Sequence, residues 1–198
     1  MPRPRTPDED DRLAAVHEAA HAVFALGDED QPIILADAVT LAGRGFGAAA
    51  IGLDTVRLGT LTDPGRVQAR QTLIWSFVAG GVAETHAAKL WNIPLTPRET
   101  RAATQVDYQL ARQVLAEISA EVDDRQLAEY EADIALTLEG KIWDVVAAFA
   151  AELQDKRRLE AAAATALVRK LCAEHLADDP DDAQDAQDES GALSPPTA

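Results

Sequence analysis

The chain has 198 residues, of which 47% are hydrophobic, and its 18 Lys and Arg face 34 Asp and Glu, giving a formal net charge of −16. This charge argues against nucleic acid or an anionic membrane surface as a partner, because both attract Lys and Arg. The length suits one compact domain.

The cysteine content and hydropathy pattern indicate a cytoplasmic protein. The single cysteine, Cys172, excludes an intrachain disulfide and favours a reducing compartment. No run of about 18 apolar residues occurs, and no apolar stretch follows the basic N-terminus. We therefore expect neither a transmembrane helix nor a signal peptide.

The first predicted element is a helix from about Pro7 to Leu26, preceded by a flexible segment within residues 1–8. Thr6 matches an N-cap, Pro7 a proline at the first helical position, and Glu9 an acid three residues after the cap. These features together form the start signal of an α-helix.

This helix contains the motif His17-Glu18-Ala19-Ala20-His21. Residues four apart lie on the same helical face, so His17 and His21 can bind one metal ion. Glu18 lies about 100° round the helix, where it can reach a water on that metal without binding the metal. This is the arrangement of a zinc peptidase. The alternative is a pair of core histidines, but two imidazoles buried one turn apart without a metal would be unfavourable.

A small β element is predicted next. Short strands are expected at residues 33–35, 38–41 and 49–53, with a further extended piece from Thr55 to Leu58. The glycine-rich stretch at 43–47 predicts a hairpin turn rather than a phosphate-binding loop, because no helix and no Lys-Ser/Thr pair follow it.

A long helix is expected from about Arg66 to Trp91. Its paired glycines, Gly80 and Gly81, would weaken the helix but allow another element, such as the metal-site helix, to approach closely. The predicted buried face consists of Ile74, Phe77, Val78, Gly81, Val82 and Thr85.

A capping box at Thr96 predicts a further helix that breaks near Thr104. The next helix is expected from about Gln105 to Ser119, and its predicted apolar face contains Leu110, Val114, Leu115 and Ile118. Asp107 belongs to that same face. An acid that faces inward requires a cation, hydrogen-bond donors or a metal.

Two more helices are predicted, at about 123–153 and 158–176. A disordered acidic tail is expected at 177–198. The sequence thus predicts a mainly α fold with a small β element between the first two long helices, in one domain at residues 9–176.

A catalytic zinc ion needs a third protein ligand. The candidates are Glu84, His86, Asp107 and His175. Asp107 leads because it is the acid most clearly predicted to face inward, whereas His86 is expected on the outer face. Spacing alone leaves the choice open.

Four segments, in the same order along the chain, resemble the FtsH-type zinc peptidase domain. Residues 16–23 resemble its H-E-A-G-H-A-V segment, and residues 38–41 with the following Gly-Arg-Gly turn resemble its strands. Residues 79–84 resemble A-G-R-A-A-E, and residues 103–111 resemble the G-A-S-N-D-I-x-x-A segment that carries the third zinc ligand. The resemblance implies that His17, His21 and Asp107 bind zinc and that Glu18 is the general base.

The chain also departs from that family. Ala20 replaces the usual glycine between the histidines, and Val106 replaces the usual Asn before the aspartate. The ATPase module and the membrane helices of the family are missing, and no G-x-x-x-x-G-K-Ser/Thr motif occurs.

The function expected from the sequence is that of a zinc-dependent endopeptidase that uses no ATP itself. Its substrates would be peptides or unstructured protein segments, which could pair along the strands near residues 38–58, with or without a separate ATPase. Either a monomer or an oligomer is compatible with this predicted function. Two alternatives stay open: a catalytically idle, zinc-stabilised interaction module and a metal-free helical binding protein.

Overall fold

The computed structural model describes residues 3–119 and 122–177, of which 67% are helical. The predicted mainly α class with a small β element is confirmed. The described helices are α1 (Pro7–Leu26), α2 (Thr55–Thr60), α3 (Asp63–Leu90), α4 (Pro97–Ala103), α5 (Gln105–Leu115), α6 (Asp124–Thr137), α7 (Ile142–Lys156) and α8 (Ala161–His175). The strands are β1 (Ile33–Gly43), β2 (Phe46–Leu53) and β3 (Arg158–Leu159). From residue 178 on, the predicted acidic tail lies outside the described residues.

Helix α1 is the central element of the fold. It packs against α3, α7, α8 and the first two strands, and between Leu13 and Leu26 every residue except Phe24 is buried. Alanine at many of these positions allows neighbouring elements to approach from all sides. The predicted N-terminus is confirmed, since Thr6 and Glu9 form a reciprocal capping box and α1 begins at Pro7. Because this part of α1 is enclosed, its polar residues His17, Glu18 and His21 are buried in the protein.

The sheet is antiparallel, with strand order β2-β1-β3. The predicted hairpin turn is confirmed: Arg44 and Gly45 connect β1 to β2, and both have a positive φ, as a tight two-residue turn requires. The two short strands predicted at 33–35 and 38–41 form one strand with an irregular register between Leu35 and Val39. Strand β2 lies at an edge of the described sheet.

Two predictions about secondary structure were wrong, one because a side chain caps a short helix and the other because a break divides a long one. Residues 55–58 belong to helix α2, since the Asp54 carboxylate caps this helix by accepting the backbone N–H groups of Val56 and Arg57. The single helix expected at 123–153 is divided into α6 and α7, and Gly140, a poor helix former, lies at the break.

Later boundaries also differ from the predictions. Helix α5 ends at Leu115, and Leu110, which was expected in the core, is 37% exposed while Ala111 and Leu115 are buried. The strand β3, which was not predicted, precedes α8 because Arg157 leaves α7 in a left-handed conformation. None of the helices in the described part of the chain is long and apolar enough to cross a membrane.

Candidate metal centre

The structure brings His17, His21 and Asp107 together, although Asp107 lies far from the histidines in sequence. Nε2 of His17 is 3.2 Å from Oδ2 of Asp107, and Nε2 of His21 is 3.7 Å from the same oxygen. One ligand atom from each residue lies within 4.8 Å of the other two. Tetrahedral zinc with ligand distances near 2.0–2.1 Å separates its ligand atoms by about 3.3 Å. The cluster therefore has the size of a zinc site.

The second nitrogen of each imidazole is held by a partner on α3. Nδ1 of His17 lies 3.2 Å from the Glu84 carboxylate, and Nδ1–H of His21 donates to the Ser76 carbonyl at 2.6 Å. The Ser76 carbonyl can only accept, so it fixes a proton on Nδ1 of His21, and both Nε2 atoms face Asp107. Metal-binding histidines are oriented in this way, with a carboxylate or carbonyl behind the ring.

The other candidates for a third ligand lie elsewhere in this arrangement. Glu84 contacts the opposite side of the His17 ring from Asp107, so it orients a ligand. His86 packs against the ring of Trp143, with centroids 4.7 Å apart, and His175 ends α8. Neither belongs to the group of possible metal ligands found among the described residues. Asp107 is therefore the third ligand that the geometry favours.

The electrostatics of the cluster favour positive charge at its centre. Burial lowers the pKa of His17, but hydrogen bonds with Asp107 and Glu84 outweigh burial and raise the pKa to about 10. Burial raises the pKa of Asp107, but its bonds with His17 and His21 outweigh burial and hold this pKa well below its ordinary range. A buried site in which the attraction between carboxylates and imidazoles outweighs the cost of burial accepts a proton or a metal cation readily.

Gly80 provides the space that the two imidazoles need. A Cβ atom at this position would lie 2.6 Å from Nε2 of His21 and 2.8 Å from Nε2 of His17, closer than side-chain atoms pack. The predicted approach of the metal-site helix to the paired glycines thus takes place through its histidine side chains. Any larger residue at position 80 would displace the donor atoms of the cluster.

Glu18 lies beside the cluster with its carboxylate free. It is only 7% exposed, it lines a cleft of about 450 Å³ with His17 and Glu84, and no residue in the described ranges hydrogen-bonds to it. Burial raises the pKa of Glu18, while His21 and His17 oppose this shift. Glu18 thus presents a carboxylate without a protein hydrogen bond to the cleft, where it can act on a ligand.

Strand β2 passes directly over Glu18 at Gly47. A Cβ atom on Gly47 would lie 2.5 Å from Cγ of Glu18, so only glycine fits here without moving the carboxylate. Neither this contact nor the bond from His21 to the Ser76 carbonyl was predicted from the sequence, because each joins elements that are distant in the chain. The glycine-rich turn was visible, but its packing partner was not.

No protein-family model matches this chain, and comparison with curated proteins finds no match. The function is therefore inferred from the arrangement of His17, Glu18, His21 and Asp107, of which His17 and Glu18 line the cleft.

Glu84 orients His17, so Glu84→Gln should weaken zinc binding by about 10–100-fold without unfolding the protein. Zinc affinity is measured by competition with a fluorescent chelator, and folding by circular dichroism. Glu152→Gln on the surface of α7, where Glu152 pairs with Lys156, is the matched control and should leave zinc affinity unchanged. Equal affinities for the two variants would contradict the orienting role.

Proposed function

We propose that this protein is a zinc-dependent endopeptidase whose metal centre resembles that of the FtsH-type peptidase domain. The observation that carries the proposal is the Glu18 carboxylate, which lines a cleft together with His17 and lies beside the convergent ligand atoms of His17, His21 and Asp107. Three protein ligands plus an accessible fourth position are typical of catalytic zinc, whereas structural zinc has four protein ligands.

His17, His21 and Asp107 would hold the zinc ion. When bound, zinc lowers the pKa of water toward about 7 and polarises the carbonyl of the scissile bond. Glu18 accepts the proton of the attacking water and returns it to the leaving amine, as a general base and then a general acid.

Strand β2 is the best docking edge for an extended substrate. Strand β1 is paired on both sides, whereas β2 is paired with β1 alone in the described sheet. Phe46 and Gly47, at the start of β2, line the cleft that contains Glu18. A peptide added along β2 by main-chain hydrogen bonds would therefore run beside the reacting groups. This narrows the docking region expected at 38–58 to residues 46–53.

The size of the cleft supports peptides or unstructured segments as substrates. A space of about 450 Å³ accepts a few side chains of an extended peptide but not a folded domain. Folded proteins would need a separate ATPase to unfold them, and an assembly of several copies is compatible with this mechanism. The single Cys172 supports a cytoplasmic setting.

A second candidate is a zinc-stabilised interaction module without useful catalysis. It is favoured by the position of the ligands, since zinc would join α1 to α5 and stabilise their packing. Such a module has no need for Glu18. The two functions therefore differ in the expected effect of changing this residue.

The catalytic role of Glu18 predicts that Glu18→Gln lowers turnover of fluorescein-labelled casein by about 10²–10⁴-fold, because the amide cannot accept the proton. Zinc content, measured by elemental analysis, should stay at the wild-type level. Asp107→Asn is the comparison, since it should reduce both zinc content and turnover. Wild-type turnover by Glu18→Gln would exclude the proposed mechanism.

The contact between β2 and Glu18 predicts that Gly47→Ala lowers kcat but leaves zinc affinity unchanged, because the added methyl group displaces Glu18 and not the ligands. We expect a loss of about tenfold or more. Gly52→Ala on the same strand is the matched control, since no atom lies within 4 Å of its added Cβ. A similar kcat for both variants would show that β2 does not position Glu18.

A further inference from the structure

The metal ligands come from two separate parts of the fold. His17 and His21 lie on α1, whereas Asp107 lies in the first turn of α5. Helix α3 contacts both α1 and α5. The distance from Asp107 to the imidazoles therefore depends on where α5 begins relative to α3.

The start of α5 is held in an unusual way. Thr104 occupies the cap position between α4 and α5; its side chain makes no cap hydrogen bond to α5, and its hydroxyl donates to the Thr100 carbonyl of α4 at 3.0 Å. Helix α4 has no buried residue that could anchor the junction, and the buried residues of α5, Ala111 and Leu115, lie farther along. Neither a side-chain cap on α5 nor a buried residue of α4 thus holds the junction in place.

Thr104 itself is buried, and its methyl group packs on Gly81 of α3. The Cγ2 atom of Thr104 occupies the place where a Cβ atom of residue 81 would lie, so the two would overlap. Asp107 follows Thr104 by three residues, within one helical turn. The depth to which Thr104 enters this space therefore sets the position of Asp107.

We propose that Gly81 is a positioning residue for the metal centre. Because Gly81 has no side chain, the Thr104 methyl group packs against its backbone, and this contact brings Asp107 within reach of His17 and His21. This role rests on the proposed zinc centre. The two consecutive glycines then serve different halves of the site, since Gly80 accommodates the imidazoles and Gly81 the helix that carries the third ligand.

A role limited to helix packing makes a different prediction. Alanine is favoured over glycine in a helix interior, so Gly81→Ala would change stability and leave the affinity of a correctly formed site unaffected. A positioning role instead lowers zinc affinity. It also changes the absorption spectrum of the Co²⁺-substituted protein, because coordination geometry changes when Asp107 withdraws.

The test moves one methyl group between the two residues. Gly81→Ala should weaken zinc binding by about tenfold or more, measured by chelator competition, and should alter the Co²⁺ spectrum. Thr104→Ser removes Cγ2 and keeps the hydroxyl, so the pair Gly81→Ala/Thr104→Ser conserves volume and should return affinity to within about threefold of wild type. Gly59→Ala, which meets no atom within 4 Å, is the control and should bind zinc normally.

Wild-type zinc affinity and Co²⁺ spectrum in Gly81→Ala would overturn the proposal, as would a double variant that binds no better than Gly81→Ala. If Gly81→Ala alone does not fold by circular dichroism, the double variant decides: it must fold and bind zinc like wild type. Failure of the zinc centre itself would be seen separately, as absence of zinc binding by the wild-type chain. Binding that is lost in Asp107→Asn but unchanged in Gly81→Ala removes only the role of Gly81.

Discussion

The fold depends on the stabilisation of ionisable side chains around its most buried helix. His17, Glu18 and His21 point from α1 into the protein, where Glu84 and Asp107 contact His17 and Asp107 also lies near His21. Burying such groups is unfavourable unless each finds a partner of suitable charge. Two carboxylates on either side of one imidazole create a position that favours a cation, and the convergence of both Nε2 atoms on Asp107 gives that position the size and donor set of a zinc site.

The backbone around this cluster is shaped by the absence of side chains. Three glycines on two elements leave the space that the polar groups occupy: Gly80 for the imidazoles, Gly81 for Thr104, and Gly47 for Glu18. Glycine weakens both helices and strands, so its use at three contacts with the site has a local cost in stability. The close approach of α3 and β2 to α1 leaves the side chains of His17, Glu18 and His21 little freedom, as the proposed catalysis by positioned groups would require.

The features predictable from the sequence were those specified by nearby residues. The capping box at Thr6 and the hairpin at Arg44 follow from local patterns of a few residues. Asp107 faces the histidines as predicted, although Leu110, on which its predicted face was based, is exposed. Residues 55–58 were predicted as extended because Thr55 and Val56 are β-branched, but the N-cap Asp54 overrides this preference and helix α2 forms. The contacts of Ser76 with His21 and of Gly47 with Glu18 could not be predicted, since the two residues of these pairs lie 55 and 29 positions apart in the chain. The resemblance to the FtsH-type peptidase named the ligand set, and the zinc that it implies stays a prediction.

The most direct test of this account is the metal content of the purified protein, measured by inductively coupled plasma mass spectrometry for wild type and His17→Ala prepared without chelator. We expect about one zinc per chain in wild type and a large loss of zinc in His17→Ala, since the two remaining ligands bind zinc weakly. Wild-type protein without zinc, or equal zinc in both proteins, would contradict a metal centre at His17, His21 and Asp107.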